Sequence, residues 1–255
     1  MSAHVDNDPE FNDVIPKPNP RRRLSIVRVL MVLGIIAILV ALFLPFQRTA
    51  PRALRRVQCT KNLRQIALAL RNYEQEYKSL PPAYTVDARG RALHSWRTLI
   101  LPYLDNSSLF NTVDLSKPWN DPANAQALAT MPSIFRCPEA VGPRNTTTYL
   151  AIVAPNGCLI PREPRRLVEI TDPHQATLMV IEAGEESAVP WMAPVDANES
   201  LVMNLGPTTK LHHGGGTNAC FVDRHVTFLE ANTPAEVRRA LMSIAGNDNE
   251  VAKDW

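Results

Sequence analysis

The chain has 255 residues, of which 45% are hydrophobic, and a formal net charge of +2. That length suits an anchor plus one globular domain of ~200 residues; the near-balanced charge gives no sign of a nucleic-acid partner, and none is expected. The 22 prolines against 10 glycines predict stiff connections and few long regular elements.

Residues 1–23 are polar and rich in Pro, Asp and Asn, and end on Arg21-Arg22-Arg23. This composition predicts a disordered, basic-ended tail. Residues 24–46 follow as an apolar run, and the eighteen residues from Val29 to Phe46 contain no Asp, Glu, Lys or Arg. At ~1.5 Å per helical residue that is close to the ~30 Å of a hydrocarbon core. A core helix would keep a polar face, but Leu30 to Phe43 leave none. A cleaved signal peptide would need a small-x-small exit, and Leu44-Pro45-Phe46-Gln47-Arg48 offers none. The run therefore reads as a retained transmembrane helix. Lys17 and Arg21–Arg23 flank its N-terminal side and Arg48, Arg52, Arg55, Arg56, Lys61 and Arg64 its C-terminal side, a distribution equivocal or slightly adverse to an exported C-terminal domain. Charge alone gives no orientation.

Past Pro45 and Pro51 a second helix is expected over 51–78. Cys59, Leu63, Ile66, Leu70, Tyr73 and Tyr77 alternate spacings of four and three, one apolar stripe. Leu80-Pro81-Pro82 closes it. The stretch 79–250 is then a turn-rich globular domain. His94 to Leu104 is a short amphipathic run, Ser133 to Pro138 a short strand, and Thr147 to Val153 a further β-like run. Thr177-Leu178-Met179-Val180-Ile181 is apolar throughout, which predicts a strand central in a sheet. Asn218–Val222 and His225–Leu229 are two strands joined by Asp223-Arg224 alone, which predicts either a tight hairpin with Arg224 in a strained turn position or a turn that widens to avoid it. Thr233-Pro234-Ala235-Glu236 predicts a helix start with Thr233 as N-cap and Glu236 completing a capping box. Val237, Leu241 and Ile244 form the buried stripe of that short helix. The fold class is α+β: a long N-terminal helix, a mainly antiparallel sheet domain, and a short C-terminal helix.

Taken together, these pieces resemble a bacterial family with a prepilin-type N-terminus and a domain of unknown function that ends in an H-x9-D-G box. The carriers are the basic run before the apolar helix, Cys59-Thr60-Lys61-Asn62-Leu63-Arg64-Gln65-Ile66, Phe135-Arg136-Cys137-Pro138, Thr171-Asp172 with Thr177–Glu182, and His213 nine residues before Asp223. The resemblance implies a non-enzymatic, single-pass pseudopilin-like protein of the bacterial inner membrane. Its N-terminus would be cytoplasmic and its domain periplasmic. Its implied role is structural or in assembly, and its implied partners are the lipid bilayer and like subunits or a secretion- or pilus-type apparatus.

Three positions depart from the family pattern. Arg23 stands where the family has the glycine before the processing point, ahead of Leu24. Arg28 stands where it has the glutamate, and Arg224 where it has the glycine of the box. Arg23, Leu24 and Arg28 are thus degenerate processing positions, and processing by a prepilin peptidase is not expected.

Two readings stay open for the chemistry-bearing residues. His213, Asp223 and His225 are a candidate divalent-metal set, by imidazole and carboxylate; a membrane-tethered module binding a metal or small ligand through the His213/Asp223 region is the functional alternative. Alternatively His213 anchors the Gly214-Gly215-Gly216 loop and Asp223 forms the hairpin turn, with no cofactor. No Gly-x-Ser-x-Gly, His-Glu-x-x-His or P-loop is present, so no enzyme is expected. Cys59, Cys137, Cys158 and Cys220 include no Cys-x-x-Cys pair. In an oxidising compartment they allow two disulfides, and a Cys59–Cys137 bridge would staple the helix to the domain. Buried free thiols are the alternative.

Overall fold

The computed structural model describes residues 26–246, and their side chains except at 26–27 and 40–52. The tail, with Arg23 and Leu24, and the chain beyond 246 lie outside the described residues, and of the 24–46 segment the side chains are described at 28–39. The chain divides into two compact units, Met1–Thr49 and Ala50–Trp255. Helix α1, Ile26–Tyr77, contributes to both. Its assignment runs through Pro45 and Pro51, where the sequence predicts an interruption. A proline ring holds φ near a helical value and forfeits its own N–H bond, so the helix tolerates it at a cost. In the first unit Val29 to Leu33, Ile35, Ile36, Ile38 and Leu39 are all exposed. Among the described residues no helix is long and apolar enough to cross a membrane.

In the second unit α1 becomes one-sided. Cys59, Leu63, Ile66 and Leu70 are fully buried while Leu68 is exposed, as the three-and-four spacing requires. Each buried Leu or Ile contributes ~1.5–3 kcal/mol. The helix stops before Leu80-Pro81-Pro82, with Lys78 in the left-handed region at φ 59°.

Strands β1 (Tyr84–Val86) and β2 (Ala92–Ser95) pair, and short helices α2 (Trp96–Leu99), α3 (Ser107–Phe110) and α4 (Ala125–Ala129) follow. Ser95 caps α2 by accepting the Arg97 N–H. Strand β3 (Thr146–Thr147) pairs with β6 (Val189–Pro190). The main sheet is antiparallel, in the order β4 (Tyr149–Ala151), β5 (Leu178–Glu182), β7 (Gly216–Phe221), β8 (Val226–Glu230). Helix α5 (Glu199–Met203) precedes β7, and α6 (Ala235–Met242) follows β8. The α+β architecture with antiparallel sheets is the one the sequence predicts, with β5 interior.

Alternation along the strands assigns two faces. Tyr149, Ala151, Val180 and Cys220 join the α1 stripe and Trp96, Phe135 and Trp191 in one core cluster. Leu150, Ile181, Ala219, Phe221 and Leu229 join Val202 and Leu241 in the other. A register irregularity between Leu178 and Val180 lets Met179 and Val180 both serve the α1 side. The same parity puts Glu182 and Asn218 on the face that meets α1.

Two local expectations are corrected. Ser133–Phe135 is a 3-10 turn, not a strand. Pro132 and Pro138 flank it, no strand pairs with it, and Phe135 is held by stacking on Trp191 with 5.9 Å between centroids. Helix α6 begins one residue later than predicted, with Pro234 in the cap position and no side-chain cap bond. The buried Thr233 instead closes a turn, its N–H donating to Glu230 O at 3.0 Å.

Candidate metal centre

Four side chains from four separate segments converge between α1 and the sheet. Cys59 comes from the buried stripe of α1. Cys137 follows the 3-10 turn at Ser133–Phe135. Glu182 ends β5, and His213 lies in the loop before β7. All four are buried, and their ligand atoms lie within 4.8 Å of one another. The sulfurs of Cys59 and Cys137 are 3.2 Å apart, as free thiols. His213 Nε2 is 3.4 Å from Glu182 Oε2 and 4.0 Å from Cys137 Sγ.

The loop that delivers His213 depends on glycine at two points. Gly215 has φ +86°, a conformation that strains a residue with a side chain. A Cβ on Gly216 would run into Leu229 O and the Phe228 ring. Polar neighbours fix Glu182 in turn. Asn218 Nδ2 donates to Glu182 Oε2 at 2.6 Å, and the Thr217 hydroxyl donates to the Glu182 backbone carbonyl. Glu182 Oε1 is buried with no hydrogen-bond partner.

The electrostatics are coupled. Burial pushes the Glu182 carboxyl up, but His213, Cys137 and Asn218 outweigh it and the carboxyl lies below its usual range. Burial pushes His213 down, yet hydrogen bonds of the imidazole to Cys137 and to the accepting Glu182 carboxylate raise it to about 9. The neighbouring Cys59 thiol, with burial second, pushes Cys137 up. Chemically, the set offers two thiols, one imidazole nitrogen and one carboxylate, groups that ligate a metal once the thiols and the imidazole give up their protons. Two surface clefts reach its edges. One of about 390 Å³ is lined by Ala53, Arg56, Glu139, His212, His213 and Gly214. The other, about 330 Å³, is lined by Gln58, Asn62, Ser133, Arg136, Cys137 and Pro138.

Of the set His213, Asp223 and His225 read from the sequence, only His213 is in this centre. Asp223 and His225 sit at the far end of β7, about 20 Å of strand away at ~3.3 Å per residue. They pair with each other there: Asp223 Oδ1 lies 2.6 Å from His225 Nδ1 and accepts the His225 backbone N–H at 3.1 Å. The His225 ring stacks on Phe221. The three residues therefore do not share a metal, because a six-residue strand fills the interval between His213 and Asp223. Arg224 does take the strained turn position, at φ 79°.

Glu182 is the member of this cluster that the sequence pattern does not single out. Its signal is a carboxylate at the end of an otherwise wholly buried apolar strand, a placement that demands a partner.

A second buried polar centre lies across the same core. Arg97 is fully buried, and its guanidinium donates to Asp196 Oδ1 at 2.5 Å. Its other N–H groups go to the carbonyls of Tyr149, Trp191, Ala193 and Val195. Asp196 Oδ1 also accepts Trp96 Nε1 at 3.0 Å and the Ala151 N–H at 2.9 Å.

A family profile described as "Protein of unknown function (DUF1559)" matches residues 49–204. The chain belongs to this family. The match covers more than half of the chain and opens beside the boundary at which the second compact unit starts, Ala50. It includes Cys59, Cys137 and Glu182 and stops short of His213. It does not extend to the prepilin-type positions 21–28. No curated protein and no solved structure matches this chain.

Proposed function

We propose that this family member is a non-enzymatic, membrane-tethered envelope protein with a structural or assembly role. Its N-terminal helix would stay in the bacterial inner membrane, the N-terminus cytoplasmic and the domain periplasmic. It would pack there on like subunits or a secretion- or pilus-type apparatus. The observation that carries this reading is the change of character along α1. Between residues 29 and 39 nine large apolar side chains are exposed, interrupted only by Gly34 and Ala37, a surface that water disfavours and a bilayer accepts. From Cys59 onward the same helix buries one stripe in the domain core. Arg23 and Arg28 in the family's processing positions favour an uncut chain whose Arg28 head reaches the headgroups.

The test is fractionation of cells expressing the full chain, followed by intact-mass measurement of the extracted protein. The expected result is retention in the membrane pellet after alkaline carbonate washing, with residues up to Arg23 still attached. Recovery in the soluble fraction would sink the tether, and a mature chain beginning at Leu24 would sink the uncut reading.

A further inference from the structure

We propose that Cys59, Cys137, Glu182 and His213 form a closed, four-coordinate zinc site that clamps α1 to the sheet. The proposal does not rest on the tether reading, since all four ligands lie in the second compact unit.

Geometry comes first. A tetrahedral zinc with Zn–S of ~2.3 Å and Zn–N or Zn–O of ~2.0–2.2 Å has ligand–ligand edges of about 3.3–3.8 Å. The described edges are 3.2 Å between the sulfurs, 3.4 Å from His213 Nε2 to Glu182 Oε2, and 4.0 Å from His213 Nε2 to Cys137 Sγ. An ion at the centre therefore needs shifts of only a few tenths of an ångström at each ligand. The longest separation in the set, 4.8 Å at most, closes by up to about 1.0–1.5 Å shared between two ligands.

The donor set comes second. Thiolate and imidazole select zinc over magnesium or calcium, which prefer all-oxygen shells. Four protein ligands fill the tetrahedron and leave no open position, the pattern of a structural rather than a catalytic site. The outer contacts are already in place, because Asn218 Nδ2 holds Glu182 Oε2 and the Glu139 N–H donates to Cys137 Sγ at 3.4 Å. The unpartnered Glu182 Oε1 leaves one buried carboxylate oxygen free to turn toward an ion. The clefts at His213 and Cys137 give the ion a way in.

Binding balances simply. Zn²⁺ forms two Zn–S, one Zn–N and one Zn–O bond. Two thiol protons leave to solvent, with the His213 proton where the imidazole carries one, and no electron moves. The result ties together segments 78, 123 and 154 residues from Cys59 by counting Cys137, Glu182 and His213 along the chain.

The test is elemental analysis of the full chain, purified in detergent without chelator and then desalted after exposure to excess Zn²⁺. The expected result is one zinc per chain, with Cys59 and Cys137 shielded from alkylation until a chelator removes the ion. His213→Ala and Cys59→Ser should weaken zinc binding by more than ~10-fold, whereas Asp223→Ala should leave it unchanged. Should the ligand variants fail to fold, cobalt substitution of the unaltered chain decides the matter, since a thiolate-to-cobalt charge-transfer band is expected. Absence of that band, under about a tenth of a zinc per chain, or a non-reducing peptide map joining Cys59 to Cys137 would each overturn the proposal.

Discussion

Two buried polar centres flank the same aromatic core and solve the same problem differently. At Arg97–Asp196 the protein supplies its own cation. All five guanidinium N–H groups find acceptors, and a guanidinium has no lone pair to offer a metal. At Cys59–Cys137–Glu182–His213 the one group that can carry positive charge is the His213 imidazole, whose proton can leave, and it stands with two thiols and a carboxylate. Each centre leaves one carboxylate oxygen without a hydrogen bond, Asp196 Oδ2 and Glu182 Oε1. An orphaned oxygen therefore does not by itself mark a ligand site. What separates the two is the company it keeps: a saturated guanidinium in one case, two thiols and an imidazole in the other. The first centre has the composition of internal scaffolding, and the second that of a site that gains by taking up a cation.

The largest effect is expected where the comparison is broken at the closed centre. Asp196→Ala strands a fully buried guanidinium, and removing one partner of a buried pair typically costs ~3–5 kcal/mol. Trp96 donates to the same carboxylate, so its fluorescence during urea unfolding of the full chain reads the loss directly. Zinc content per folded chain should not change. A loss under about 1 kcal/mol, the range of an exposed pair, would mean that Arg97 finds other compensation.

A smaller effect of opposite sign is expected outside both centres, at the far end of β7. Arg224→Gly relieves a left-handed residue at φ 79° and should stabilise the chain by about 1 kcal/mol. Zinc binding should again be unaffected. A change in zinc content with this variant would show that the hairpin turn and the His213 end of β7 are not independent.

Much of the fold can be read from local pattern. The α1 stripe, the apolar β5 and the β7–β8 hairpin each follow from spacing within a dozen or so residues, although the hairpin turn is wider than the two residues Asp223-Arg224: Phe221 N–H donates to His225 O, which leaves Val222, Asp223 and Arg224 in the loop. The difference at Ser133–Pro138 has a local cause as well: Ile134 and Phe135 resemble strand residues, but Pro132 and Pro138 leave no ladder to join. The candidate site is legible only in part. The sequence singles out Cys59, Cys137 and His213, because unusual residue types stand at them. It does not show that Glu182 joins them, since that depends on strand parity and on which face of the sheet meets α1. The link from His213 to Asp223 and His225 fails for the same kind of reason. Closeness in sequence suggests a cluster, but an extended strand carries its two ends apart, while segments far apart in the chain meet at one of them.

The account turns on whether the second centre takes up zinc through these four residues. X-ray absorption at the zinc edge of the zinc-loaded full chain measures that directly. The account predicts two sulfur neighbours at ~2.3 Å and two nitrogen or oxygen neighbours at ~2.0–2.2 Å. A shell of nitrogen and oxygen alone, or no bound zinc to measure, would contradict it.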